Sequence, residues 1–224
     1  MNFAHFSELF FVFLPPASIS LVLTMAGSLW IDSLYHQIKD DSLLSFPDQI
    51  AVRAKLRTPL LFIILLICIK KAWFISSIPT VFYFTAAIVF LSYVTITDYE
   101  QYVIFDSMLL PFAICGICYT MHLQLPISEH LIAGLGGGLI FLLLTLLTKG
   151  AIGGGDIKLI AALGLWLGIR PLLSVIMYGF LAGGAAALFL LLTKQKQRHD
   201  YFAYGPYFAL GGIAMLLGWI RSLF

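Results

Sequence analysis

Two aspartates in this sequence stand where carboxylates are expensive. Asp98 closes an apolar run in SYVTITDYEQYVIFDSMLLP, and Asp156 follows Gly153, Gly154 and Gly155 in KGAIGGGDIKLIAALG, just ahead of another apolar run. Ionisable groups bordering membrane-type helices are costly to hold and tend to mark functional sites. If the two carboxyls meet in a partly dehydrated cleft, they do not readily both ionise, so they share a proton and titrate as a pair. One then acts as base on a water while the other, protonated, polarises a peptide carbonyl, and the roles exchange as the tetrahedral intermediate collapses. Such chemistry needs no metal, no cofactor and no nucleophilic side chain. The three glycines suit it: lacking Cβ atoms, they can take φ > 0 and approach a substrate strand closely, with the free N–H groups of a helix start beyond them.

Each aspartate also has a plainer role available. Asp156 could cap a helix on a flexible turn, and Asp98 could be an ordinary interfacial residue. A phosphate cradle is disfavoured, since GxxxxGK[ST] is absent and Asp156 would repel phosphate.

The elements that must carry this pair are membrane helices. The 224 residues are 61% hydrophobic and only 11% charged, a balance no soluble domain requires. A formal charge of +2 gives no reason to expect nucleic acid as a partner. A membrane helix needs about 20 mostly apolar residues, and apolar windows predict an all-α, polytopic protein of about eight transmembrane helices. They lie near residues 8–34, 57–76, 79–97, 102–122, 129–148, 157–170, 172–193 and 205–223, with Pro171 dividing the sixth from the seventh. The N-terminal run has no basic region before it and no small-residue cleavage site, so it reads as a retained span. Residues 1–224 read as a single integral membrane domain.

Charge asymmetry orients the spans. With the first N-terminus outside, inner connections carry Lys39, Arg53, Lys55, Arg57, Lys149, Lys158, Lys194, Lys196 and Arg198, against Lys70, Lys71, Arg170 and Arg221 outside. Basic residues favour the cytoplasmic side, which puts both termini outward and Asp98 and Asp156 at similar depth on the cytoplasmic side. The remaining acids, Glu8, Asp32, Asp40, Asp41, Asp48, Glu129 and Asp200, fall in loops or near helix ends, and Glu100 reads as interfacial. The inner loop at 35–56 is a surface or amphipathic element, and KQKQRHD, Lys194 to Asp200, is a topology anchor. Cys68, Cys115 and Cys118 lie in apolar runs; the last two form a CxxC with no second ligand pair, which reads as packing. Gly134, Gly136, Gly137, Gly138, Gly179, Gly183 and Gly184 read as glycines for close helix approach.

At the two aspartate segments together, the sequence resembles the type IV prepilin peptidases, bacterial members of the GxGD class of membrane aspartic proteases. Their second motif runs approximately GxGDxKLLAALGAWLG, and Gly153 to Gly168 reads GGGDIKLIAALGLWLG. Their first is an aspartate followed by a turn and LLPDxLTLP; after Asp98 stands YEQYVIFDSMLLP, with Asp106 and Pro111 in register and Phe105 in place of the usual proline. MAGSLWIDSLYHQI, Met25 to Ile38, is similar to GSFLNVVIYRLP, with Ile31 and His36 in place of its Asn and Arg. YGPYFALGG, Tyr204 to Gly212, is similar to FGPFLALGA, so the resemblance covers essentially the whole membrane region.

The resemblance implies a peptidase of the bacterial inner membrane that cuts prepilins or pseudopilins after a glycine at the cytoplasmic face, with Asp98 and Asp156 as its catalytic pair. Asp106, expected two turns into its helix, and Lys158 match motif positions and are read as supporting residues, beside Gly153, Gly154 and Gly155. Many members carry a cytoplasmic segment with two CxxC pairs after the first helix and also methylate the new N-terminus from S-adenosylmethionine. Residues 35–56 contain no cysteine, so the short form is expected to cleave without methylating. The rival classes are an ion- or proton-coupled transporter binding cations at the two aspartates, disfavoured because both carboxylates lie near one face, and an idle pilus-assembly scaffold.

Overall fold

The computed structural model describes residues 3–38, 44–73, 77–150, 152–195, 197 and 202–222, with side chains between Leu14 and Gly218. Lys39, Asp40, Asp41, Lys196, Arg198 and Asp200, and the side chains of Glu8 and Arg221, lie outside the described residues.

Among the described residues the regular structure is entirely helical: α1 (Phe3–Ile38), α2 (Ile50–Arg53), α3 (Arg57–Ala72), α4 (Ile78–Gln101), α5 (Asp106–His122), α6 (Ile127–Leu147), α7 (Gly154–Leu167), α8 (Ile169–Leu192) and α9 (Gly205–Ser222). The short α2 sits between the 3₁₀ turns Pro47–Gln49 and Ala54–Leu56, which gives the inner loop its own local structure. Every apolar window of the sequence has become a helix, but not every helix is long enough to cross a bilayer. By length and composition, four qualify: Leu14–Ile38, Ile78–Gln101, Ile127–Leu147 and Ile169–Leu192, with Gly205–Gly218 a shorter apolar stretch. Helix α7, 14 residues, is about 21 Å long at 1.5 Å per residue, against about 30 Å of hydrocarbon. Against the expected eight spans, the described residues hold eight helices of 14 residues or more, of which four are long and apolar enough to cross a membrane.

One expected boundary moves. The break between α7 and α8 falls at Gly168, whose φ of 73° is the left-handed region that glycine enters without a Cβ clash. Pro171 lies inside the first turn of α8, where its missing N–H has no intrahelical partner to lose.

Helix α7 is the hub: it packs on α5, α6, α8 and α9, while α4 packs on α3, α5 and α9. Gly164 makes the hub possible, because a Cβ there would stand 2.5 Å from the backbone nitrogen of Gly134 on α6. Across the other face of α7, the buried Trp166 stacks on Phe112 and Tyr119 of α5 and donates its Nε1–H to the Phe112 carbonyl at 2.6 Å. Of the other small residues, Gly134, Gly137, Gly138, Gly179 and Gly183 meet neighbours closely, whereas Gly136 and Gly184 face open space. Large apolar side chains such as Leu29, Ile78, Leu135, Leu147 and Leu192 are exposed on the outside, an exterior that suits lipid.

Candidate active site

Asp98 occupies the last turn of α4 and is 6% exposed. The helix ends at Gln101 because Tyr102 turns left-handed, φ 56°, and returns its N–H to the Asp98 carbonyl at 3.0 Å. The chain resumes helix at Asp106, so that carboxylate opens α5 and does not lie two turns inside it.

Asp156 is the third residue of α7, behind the N-cap Gly153. Its N–H donates to the Gly153 carbonyl at 3.1 Å, and its carboxyl in turn accepts from the Gly153 N–H. The carboxyl thus caps the start of α7 from inside its first turn, while the N-cap Gly153 makes no side-chain cap. This leaves the carboxyl with capacity to spare, since Oδ1 is buried without a hydrogen-bond partner. The glycines leave their left-handed freedom unused. Gly153 is extended at φ −67°, Gly154 and Gly155 are helical, and none has positive φ. Their demand is for volume: a Cβ at Gly155 would stand 2.9 Å from Ile104 Cβ, one at Gly153 would stand 3.4 Å from Asp156 Oδ2, and Gly154 faces open space.

Ile104 lies between the two segments: a Cβ at Gly155, next to Asp156, would meet Ile104 Cβ at 2.9 Å, and one at Gly205, beside Asp98, would meet Ile104 Cδ1 at 3.0 Å. The N-terminus of α9 completes the corner. Gly205 donates its backbone N–H to Asp98, and a Cβ there would stand 2.6 Å from Asp98 Oδ2. Among the described residues, Asp98 Oδ2 and Asp156 Oδ1 are two of the few buried side-chain oxygens without a partner. Native interiors satisfy most such atoms, so orphans concentrated at one corner call for a ligand or water. A cavity of about 320 Å³ opens on Asp156, walled by Phe141, Phe180, Tyr204 and Phe208. A second of about 480 Å³, lined by Arg53, Tyr99, Tyr102, Phe202 and Tyr207, lies beside the end of α4.

Asp106 and Lys158 meet each other instead. Lys158 Nζ donates to both Asp106 oxygens at 2.7 and 2.8 Å, in a pair more than half exposed. Exposed pairs contribute roughly 0–1 kcal/mol, so Lys158→Ala is expected to shift thermal unfolding of the detergent-solubilised protein only slightly, within that range. No three His, Cys, Asp or Glu side chains converge as metal ligands among the described residues.

Glu100 corrects the sequence reading: it is 1% exposed, an interior residue and not an interfacial one. Arg57, counted above among the inner basic residues, is buried against it and also pairs with Asp32 from α1, a role the sequence did not mark. Gly205 was likewise unmarked, although it stands in YGPYFALGG, one of the segments quoted above.

Residues 85–188 match the sequence profile of the type IV leader peptidase family. Met25–Ile38 and Tyr204–Gly212 fall outside that match, so the similarity detected by the profile is narrower than the whole membrane region. The prepilin leader peptidase/N-methyltransferase of Aeromonas salmonicida is 32% identical over 133 residues, 55% of this chain and 45% of that protein. The protein of the same name from Burkholderia pseudomallei is 33% identical over 117 residues, 50% and 38% of the two chains. That from Neisseria gonorrhoeae is 33% identical over 129 residues, 55% and 44%. The chain thus spans about half the length of the curated relatives it matches. No solved structure matches it. Both Asp98 and Asp156 lie within the segment that is similar to the type IV leader peptidase family.

Proposed function

We propose that this protein is a membrane aspartic endopeptidase that removes the leader of type IV prepilins or pseudopilins, cutting after a glycine at the cytoplasmic face of the bacterial inner membrane. The observation that carries this reading is the pair of partnerless oxygens, Asp98 Oδ2 and Asp156 Oδ1, at the corner where α4, α7 and α9 meet. The carboxyls hold one proton between them. The ionised partner draws a proton from water as the water attacks the scissile carbonyl, and the protonated partner hydrogen-bonds the developing oxyanion. Collapse of the intermediate returns a proton to the leaving amine. The basic residues named for the inner connections support the cytoplasmic placement.

Gly154, with open space where a side chain would be, leaves room for substrate backbone beside Asp156. Residues 35–56 hold no cysteine, and the reading is of cleavage without methylation. The test is incubation of the purified, detergent-solubilised protein with a prepilin. Leader release on a gel and a new N-terminus one residue past glycine support the reading, and an uncut prepilin overturns it. A mature pilin gaining one methyl group in mass through this protein would refute the second part.

A further inference from the structure

The end of α4 is fastened from the side opposite Asp98. Arg57 opens α3, and its guanidinium is 1% exposed. Nε donates to Glu100 at 2.9 and 3.1 Å, Nη2 donates to Glu100 Oε2 at 2.7 Å, and Nη1 donates to Asp32 and to the Ser28 carbonyl of α1. Tyr35 of α1 adds its O–H to Glu100 Oε2 at 3.0 Å. A planar fork suits this two-pronged grip, and a lysine does not reproduce it.

A second tether is independent of the first. Gln101, fully buried, accepts the Phe46 N–H at 2.9 Å and donates to the Phe46 carbonyl at 3.1 Å. Arg53, stacked on the Phe46 ring at 3.6 Å, donates to the Glu100 carbonyl at 2.6 Å.

We infer that Arg57 and Gln101 are positioning residues that hold the last turn of α4 so that Asp98 faces Asp156, an inference that rests on the proposed peptidase reading. Residues two apart on a helix point to nearly opposite sides, so Glu100 is gripped by α1 and α3 while Asp98 turns toward α7 and α9. A terminal turn has carbonyls without intrahelical partners and frays readily, and here the residue closing it is a left-handed tyrosine. Burying Arg57 and Glu100 together is no better for stability than apolar packing would be. What the cluster supplies is one rotational setting of the helix end.

The test uses the full chain in detergent, with Cys68, Cys115 and Cys118 replaced by Ser and with Asp98→Cys and Asp156→Cys added. A short bifunctional thiol reagent reports the approach of the two positions. Arg57→Lys and Gln101→Met, each introduced separately, are expected to lower the cross-linking rate severalfold. In the chain with both aspartates intact, the same two variants are expected to lower kcat for prepilin by up to about 100-fold, as for a misplacement on the order of 1 Å. KM should hold, and the two limbs of the pH–rate profile should draw together as the carboxyls cease to share a proton. The groups facing the tether are Asp32, Tyr35 and Glu100, and those facing Asp98 are Asp156 and the Gly205 N–H.

Unchanged cross-linking in Gln101→Met overturns the inference, as does activity that falls only in step with folded protein while the profile keeps its shape. Should Arg57→Lys fail to fold, Gln101→Met decides alone. A wild-type protein that leaves prepilin uncut sinks the peptidase reading, while the cross-linking rate still judges the positioning.

Discussion

Asp98→Asn and Asp156→Asn should each abolish prepilin cleavage while leaving membrane insertion and helical content unchanged. Asparagine keeps the shape of the side chain and can still accept a hydrogen bond from Gly205 or Gly153, so the corner where α4, α7 and α9 meet survives. What it loses is the ability to take or give a proton. A positioned acid or base contributes about 10²- to 10⁴-fold, and in a shared-proton pair either replacement removes both roles at once. The measurement is leader release per mole of folded protein, with circular dichroism as the control. Full cleavage by either variant would end the dyad mechanism. Loss in only one variant would point instead to a single carboxylate acting alone.

Gly205→Ala carries the second largest expected effect. Its Cβ would fall 2.6 Å from Asp98 Oδ2 and 2.9 Å from Cγ, closer than real Cβ contacts come, and a tight 3.0 Å from Ile104 Cδ1. Either the carboxyl turns away or the start of α9 retreats, carrying off the N–H that Gly205 directs at Asp98. Overpacking of this kind destabilises by about 1–3 kcal/mol, and displacement of the acid by about 1 Å lowers turnover by about 100-fold. Gly184→Ala is the matched control, because its Cβ would meet nothing within 4 Å. Equal activity in the two alanine variants, assayed side by side on prepilin, would show that Gly205 does not set the position of Asp98.

Asp98 and Asp156 stand out in the sequence because the signal is local and repeated: each carboxylate borders an apolar run. Arg57 was not legible as a buried group, for the converse reason. Its partner Glu100 lies 43 residues away with no periodic pattern joining them, and an arginine at a helix start looks the same whether it anchors a loop or fills a core. The glycines before Asp156 show a different limit. A sequence marks where a Cβ is absent, but φ freedom and missing volume leave the same letter, and at Gly155 volume is what Ile104 requires. Gly168 and Pro171 stand close enough that either could have divided α7 from α8; only the backbone angle at Gly168 decides between them. Apolar windows found every long helix, yet they measure greasiness more reliably than reach, which is why α7 reads as a span and falls short of one.

That shortfall has a consequence for the bilayer itself. A helix of about 21 Å within about 30 Å of hydrocarbon leaves roughly 9 Å to be made up by thinning of the lipid or by water let in above it. Asp156 stands at the first turn of that helix, so on the proposed peptidase reading water entering at that end would reach the carboxylate that uses it. The hydrophobic mismatch of one helix would thus act as the inlet, delivering a hydrolytic reagent to a depth where lipid would otherwise exclude it.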